Sequence, residues 1–139
     1  MCVMIGWGLI YGRQEHPHLM QAHIKKISVS ECKNRVRPVG ATITRNHICV
    51  FEDTDDPHES STICDGDSGG PLMCGKNLEF VAGVVSWTDH SCSGKIPAVY
   101  TRVSQYLKWI AKTVPSSKDF VYTPQMEDVI DSFIKLIRH

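Results

Sequence analysis

The sequence predicts an all-β protein, a small antiparallel barrel or sandwich, that ends in helices. Through most of the chain, short apolar segments rich in β-branched and aromatic residues alternate with glycine, proline and polar clusters. After Val103 the apolar residues recur at helical spacing instead. Six cysteines are scattered along the chain rather than gathered into metal-binding pairs.

Six strands are expected, at Cys2–Tyr11, Ala22–Val29, His47–Phe51, Pro71–Cys74, Leu78–Thr88 and Pro97–Val103. The turn-rich stretches Gly12–His18, Asn34–Gly40, Gly75–Asn77 and Asp89–Lys95 separate most of them. Ser30, followed by Glu31 and Cys32, is a candidate cap for a short helix between Cys32 and Cys49. Ser104 can cap a helix whose Leu107, Ile110, Ala111 and Val114 share one face. Pro115, Ser116 and Ser117 break that helix, so residues 1–114 read as a domain and 115–139 as a linker and extension. A second amphipathic helix is expected from Thr123, with Pro124 at its first position. Met126, Val129, Ile130, Phe133, Ile134 and Ile137 form its apolar stripe, read as docking on its own domain.

The bulk numbers restrict function. A chain of 139 residues, 42% hydrophobic and 22% charged, can bury a core of its own. Fifteen basic and fifteen acidic residues cancel, so no field favours nucleic acid or an anionic membrane. No apolar run approaches the roughly 20 residues of a membrane helix. Cys2, Cys32, Cys49, Cys64, Cys74 and Cys92 contain no C-x2-C pair, and the nearest His–Cys pair is His47 and Cys49. Disulfides are therefore expected rather than a metal, and with them an oxidising compartment. The start, MCVMIGWGLIYG, lacks the basic region of an export signal, which leads to the expectation that a front end is missing. The acidic run from Glu52 to Glu59 has no glycine at the sixth position of a calcium loop and reads as solvated.

The stretch CDGDSGGPLMC, Cys64 to Cys74, carries the chemistry. A serine hydroxyl becomes a nucleophile only when a base takes its proton and donors meet the oxyanion it creates. The glycines from Gly66 to Gly70 let backbone N–H groups turn toward Ser68 without a side chain in the way. The same residues satisfy G-x-S-x-G, but that elbow needs a helix after the serine, and Gly69, Gly70 and Pro71 cannot start one.

GDSGGPL with its flanking cysteines resembles the active-site segment of trypsin- and chymotrypsin-like serine proteases. Cys2-Val3-Met4-Ile5-Gly6-Trp7-Gly8 resembles the C-x-x-x-G-W-G strand that opens the family's second half. Val84-Val85-Ser86-Trp87 and Pro97-Ala98-Val99-Tyr100-Thr101-Arg102-Val103 are similar to its substrate-pairing and P-G-V-Y-T-R-V strands, and Tyr106–Ile110 to its closing helix. The resemblance runs over roughly residues 2–112 and implies an antiparallel six-stranded barrel, the second of the chymotrypsin-like fold.

The resemblance also implies roles. It pairs Cys2 with Cys74, Cys32 with Cys49 and Cys64 with Cys92. Ser68 becomes the nucleophile of peptide hydrolysis through an acyl-enzyme, with the N–H groups of Gly66 and Ser68 as oxyanion hole. Asp67 becomes the acid that holds the hole by pairing with a newly cut N-terminal amine. Thr62 and Ile63 form the specificity-pocket floor, Asp65 its rim, Ser86, Trp87 and Thr88 the substrate edge, and Ala98 a wall. Without an acid at the floor, and with side chains at Thr88 and Ala98, small or medium apolar residues are the expected substrates.

The family's A-A-H-C segment has no counterpart here. His16, His18, His23, His47, His58, His90 and His139 each read as surface residues rather than the triad base. The new N-terminus that would meet Asp67 is absent too, which implies an unformed oxyanion hole. The chain is thus expected to be inactive alone and to need the missing N-terminal barrel as partner, with protein or peptide as substrate. An extracellular setting and no cofactor or metal complete the expectation. The alternative is a non-catalytic homologue that serves as a secreted binding protein.

Overall fold

The computed structural model describes residues 2–10, 14–54 and 60–114. The chain divides into two units, Met1–Val103 and Ser104–His139. Seven strands build one antiparallel sheet in the first unit: β1 (Cys2–Gly6), β2 (Met20–Ile24), β3 (Lys26–Ile27), β4 (His47–Val50), β5 (Pro71–Cys74), β6 (Phe80–Trp87) and β7 (Ala98–Arg102). Their order is β2-β1-β5-β6-β7-β4-β3. The two outermost strands are separated in sequence by Lys25 alone, so one stretch of chain pairs with β1 at one end and β4 at the other. The sheet therefore rolls into a nearly closed barrel, which leaves little unpaired edge. Phe51 N–H donates to the Lys25 carbonyl at 3.0 Å across that seam.

This bend explains seven strands where six are expected. The segment Ala22–Val29 cannot be one straight strand and still serve both neighbours, and its end belongs to a helix. That helix, α1 (Val29–Val36), is capped by Ser28 rather than Ser30, because the Ser28 hydroxyl accepts the Glu31 N–H at 3.1 Å. Cys32 and Val36, four residues apart, turn its buried face inward. On the outer face Arg35 bonds Glu31 at 3.1 Å and Asp53 at 3.3 Å, and lies 4.0 Å over the Phe51 ring.

Strand alternation divides the core in two. Ile48, Val50, Ala98 and Tyr100 point into the barrel with Cys2, Met4, Ile24, Ile63, Leu72, Cys74 and Val85. Cys49 and Val99, on the opposite parity, pack with Cys32, Val36 and Ile43 under α1. Each large aliphatic side chain buried this way stabilises by about 1.5–3 kcal/mol. Disulfides join Cys2 to Cys74 across the β1–β5 pair, Cys32 of α1 to Cys49 of β4, and Cys64 to Cys92.

Other boundaries shift for local reasons. β1 stops at Gly6, and Ile10 only bridges to Gln14. Leu78 holds a φ of 55°, so β6 starts at Phe80. Val103–Gln105 is a 3-10 turn, so Ser104 lies inside a turn instead of capping a helix. In the second unit α2 (Leu107–Thr113) begins after Tyr106, with Leu107, Ile110 and Ala111 half-buried. The expected helix from Thr123 to Ile137 lies outside the described residues. Among those residues no helix is long and apolar enough to cross a membrane.

Gly83 marks the tightest crossing in the barrel. A Cβ there would sit 2.8 Å from Tyr100 Cβ and 3.0 Å from Ile48 Cγ2. Gly83→Ala should therefore lower the stability read by urea unfolding by about 1–3 kcal/mol. A change within about 0.5 kcal/mol would mean that the β6–β7 crossing is looser than described.

Candidate active site

The loop between Cys64 and Gly70 is organised by one carboxylate. Asp67 Oδ1 accepts the Gly8 N–H at 2.8 Å and Oδ2 accepts the Cys64 N–H at 2.9 Å. Its own N–H donates to the Cys64 carbonyl at 3.0 Å, and its carbonyl accepts the Gly70 N–H at 2.9 Å. Leu9 N–H reaches the Asp65 carbonyl at 2.9 Å, which stitches the end of β1 to the loop a second time. The close approach requires glycines: an added Cβ would lie 1.8 Å from Asp67 Oδ1 at Gly6 and 2.4 Å from Asp67 Cγ at Gly8. Gly66 and Gly69 take φ of 98° and 81°, which side-chain-bearing residues rarely adopt.

Ser68 emerges from this turn exposed to solvent. Among the described residues its hydroxyl has no hydrogen-bond partner, and neither do the N–H groups of Gly66 and Ser68. The turn then pairs with β6: Gly69 N–H donates to the Val85 carbonyl at 3.2 Å, and Val85 N–H donates to the Gly70 carbonyl at 2.8 Å. That pairing sets Ser86, Trp87 and Thr88 directly beyond the Ser68 turn. Ser86 is exposed, while Trp87 and Thr88 are half-buried.

Ile63 and Ala98 belong to the barrel core, at 4% and 2% exposure, together with Tyr100. Asp65 is exposed and Thr62 half-buried. The Thr62 and Thr88 hydroxyl oxygens are sealed from solvent without a partner among the described residues, as is the Tyr100 hydroxyl. Such an unmet buried group costs about 1–3 kcal/mol until something pairs with it. Burial, followed by the field of Asp67, pushes the Tyr100 hydroxyl well above its ordinary pKa, so it stays a neutral donor.

The described histidines have other settings. His47 Nδ1 accepts the Thr44 N–H at 3.0 Å, His16 and His18 face each other, His23 lies exposed on β2, and His90 lies exposed in the loop after β6. His58 and His139 lie outside the described residues, as does the middle of the acidic run. Among the described residues no three His, Cys, Asp or Glu side chains are placed to hold a metal.

Sequence reasoning missed Gly8 as a donor to Asp67 and Gly6 as the residue its carboxylate lies against, although the G-W-G triplet was the available signal. It also missed Asp89. Burial raises the Asp89 pKa, but hydrogen bonds from Ser91 and Ser93 outweigh it, and the carboxyl is held below its usual range. Asp89 thereby closes the loop that carries Cys92.

The comparisons with known proteins agree with this fold. The Trypsin family model matches residues 1–110. A chymotrypsin-like serine proteinase of Haliotis rufescens is 41% identical over 100 residues, which are 70% of this chain and 36% of that protein. Fibrinolytic enzyme isozyme C of Lumbricus rubellus is 43% identical over 115 residues, covering 78% of this chain and 46% of that protein. The structure of neuropsin, a serine protease expressed in the limbic system of mouse brain, superposes with a TM-score of 0.66 at 30% identity. That superposition covers 81% of this chain and 47% of neuropsin, so the chain spans less than half the length of these relatives. With a match over most of its length and with the same fold, the chain belongs to the trypsin family of serine proteases.

Proposed function

We propose that the chain carries the nucleophile side of a serine endopeptidase site, with Ser68 attacking the peptide carbonyl to form an acyl-enzyme. The observation that carries this reading is the Asp67-anchored turn. It leaves Ser68 exposed beside two N–H groups, those of Gly66 and Ser68, which have no partner among the described residues. Two such donors aimed at a developing oxyanion stabilise the transition state far more than the ground state. Asp67 keeps the turn in shape through Gly8 and Cys64 even before any amine reaches it.

An extended peptide would lie along Ser86–Thr88, where β6 ends. Its side chain would enter toward Thr62, Ile63, Thr88 and Ala98 past Asp65, and the two core residues favour small apolar groups. The three disulfides support an extracellular protein. In this reading a complementary segment supplies the general base and its orienting acid, since nothing here resembles the family's A-A-H-C and the described His16, His18, His23 and His47 do not bond Ser68. Ser68 alone remains a protonated alcohol.

Purified chain should therefore give no peptide turnover above background. Turnover that disappears in Ser68→Ala would overturn the need for an outside base. Joined to a complementary half that carries the base, the chain should cleave small-residue peptides and lose roughly a thousandfold or more on Ser68→Ala. If the joined protein stays inactive but binds peptide equally well with Ser68→Ala, the scaffold of a non-catalytic binding protein is the correct reading.

Gly8→Ala probes the anchor itself. The new methyl must displace the Asp67 carboxylate, so stability should fall by about 1–3 kcal/mol. A variant as stable as the parent in urea would mean that the carboxylate is not pinned against β1.

A further inference from the structure

The fifteen basic and fifteen acidic residues cancel over the whole chain but not along it. Residues 25–45 hold six of the basic ones against one acid, Glu31, whereas residues 52–67 hold seven acids and neither lysine nor arginine. In the fold the basic stretch covers one side of the barrel. It runs as β3 and α1 and then returns toward β4, and its Cys32, Val36 and Ile43 pack on Cys49 of β4 and Val99 of β7. Lys25, Lys26, Lys33, Arg37 and Arg45 are exposed there. Among the described residues no ion pair or hydrogen bond holds any of their side chains. Arg35 differs, since Glu31 and Asp53 hold it. The acids that follow β4 are engaged too, Asp53 by Arg35 and Glu52 by the Ser61 N–H at 3.1 Å.

The cations gather in two groups. At the end of β7, Arg102 Nε donates to the Arg45 carbonyl at 3.0 Å and Nη2 to the His47 carbonyl at 2.8 Å, which holds the Arg45 turn against the guanidinium. Lys26 stands close enough that partial burial, and then the Arg102 charge, push its ammonium below the ordinary lysine pKa. On α1, Cys32 and Val36 face inward, while the exposed Lys33 and Arg37, four residues apart, share another side. A helix C-terminus favours cations in its last turn, which accounts for Lys33 and Arg35 but not for Lys25, Lys26 or Arg45. Like charges held together without a counter-charge cost stability, and an anion that binds them removes that cost.

We propose that this face binds a sulfated polysaccharide, whose sulfate groups lie along Lys26 and Arg45 at the barrel end and Lys33 and Arg37 on α1. Arginine and lysine donate charge-assisted hydrogen bonds to such oxyanions, and a linear polyanion meets both groups at once. Residues 25–45 contain no phenylalanine, tyrosine or tryptophan, so nucleic-acid bases would find no stacking platform. Val39 is the one large apolar side chain exposed on this stretch, so an acidic protein would bury little there. The three disulfides suit the extracellular setting in which such glycans occur. Arg102 ends β7 four residues beyond Ala98, about 13 Å along the strand. The barrel-end cations therefore stand apart from the pocket wall at Ala98, and the inference does not rest on Ser68 chemistry.

The test is calorimetric titration of the full chain with heparin, from about 0.05 to about 0.3 M NaCl. Each cation that meets a sulfate displaces condensed counterions, so log affinity should fall with log salt at a slope of about −3 or steeper. Lys26→Gln/Arg45→Gln should weaken binding roughly tenfold, and Lys33→Gln/Arg37→Gln should do the same independently. Lys76→Gln/Lys95→Gln removes two exposed cations outside this face and should change binding by less than about twofold. All these positions are exposed, so each variant should melt with the parent, and if one of the two pairs misfolds the other decides. Absence of binding at the lowest salt, or equal losses in all three variants, would overturn the proposal. Equally tight binding to unsulfated hyaluronan, to single-stranded DNA or to polyglutamate would overturn it too, because the face would then not select a sulfated glycan.

Discussion

One carboxylate holds the site region together. Asp67 reaches back from the Ser68 turn to the end of β1 and accepts two backbone N–H groups, from Gly8 and Cys64. Ionised acceptors make stronger hydrogen bonds than neutral ones, and this one binds segments that are distant in sequence. Remove it, and the glycine-rich turn loses both of its side-chain tethers, to Gly8 and to Cys64. The glycines at Gly6 and Gly8 exist in that sense for Asp67, because any side chain would occupy the space of its carboxylate.

The barrel supplies the frame in which that bond can form. Closure at Lys25 lets a single bent segment serve both edges of the sheet, so β1 and β5 become interior neighbours. Cys2 and Cys74 face each other in that pair, and their disulfide holds β1 against the strand that leaves the Ser68 turn. Cross-linking two points this far apart in sequence removes much of the unfolded chain's freedom. Cys64–Cys92 does the same on the other side of the turn, at the expense of a strained Cys92. The turn is therefore gripped by a carboxylate from within and by disulfides at both flanks.

Much of this was legible in the residues. The unbroken apolar run Ile48-Cys49-Val50 marks a strand with two buried faces, and GDSGGPL marks the turn. The bend at Lys25 was not legible, because Ala22–Val29 mixes apolar and polar residues as an ordinary strand does, and no glycine or proline signals a change of partner. The Ser28 cap was hidden for a similar reason: two serines stand two residues apart, and only backbone geometry selects between them. Ser104 failed as a cap because a 3-10 turn at Val103–Gln105 takes up the chain before α2 begins. Asp67 could be singled out by its neighbours in sequence, but its partner Gly8 lies 59 residues away, where spacing carries no information.

Backbone amide exchange tests the central claim most directly, because it reads the donors on both sides of the turn in one experiment. The N–H groups of Gly8 and Cys64, bound to Asp67, should exchange slowly, whereas those of Gly66 and Ser68 should exchange near the rate of an open chain. Asp67→Ala should abolish the protection at Gly8 and Cys64 while strands β5 and β6 stay protected. If Gly8 and Cys64 exchange freely in the parent, or keep their protection without the carboxylate, Asp67 is not what organises the turn.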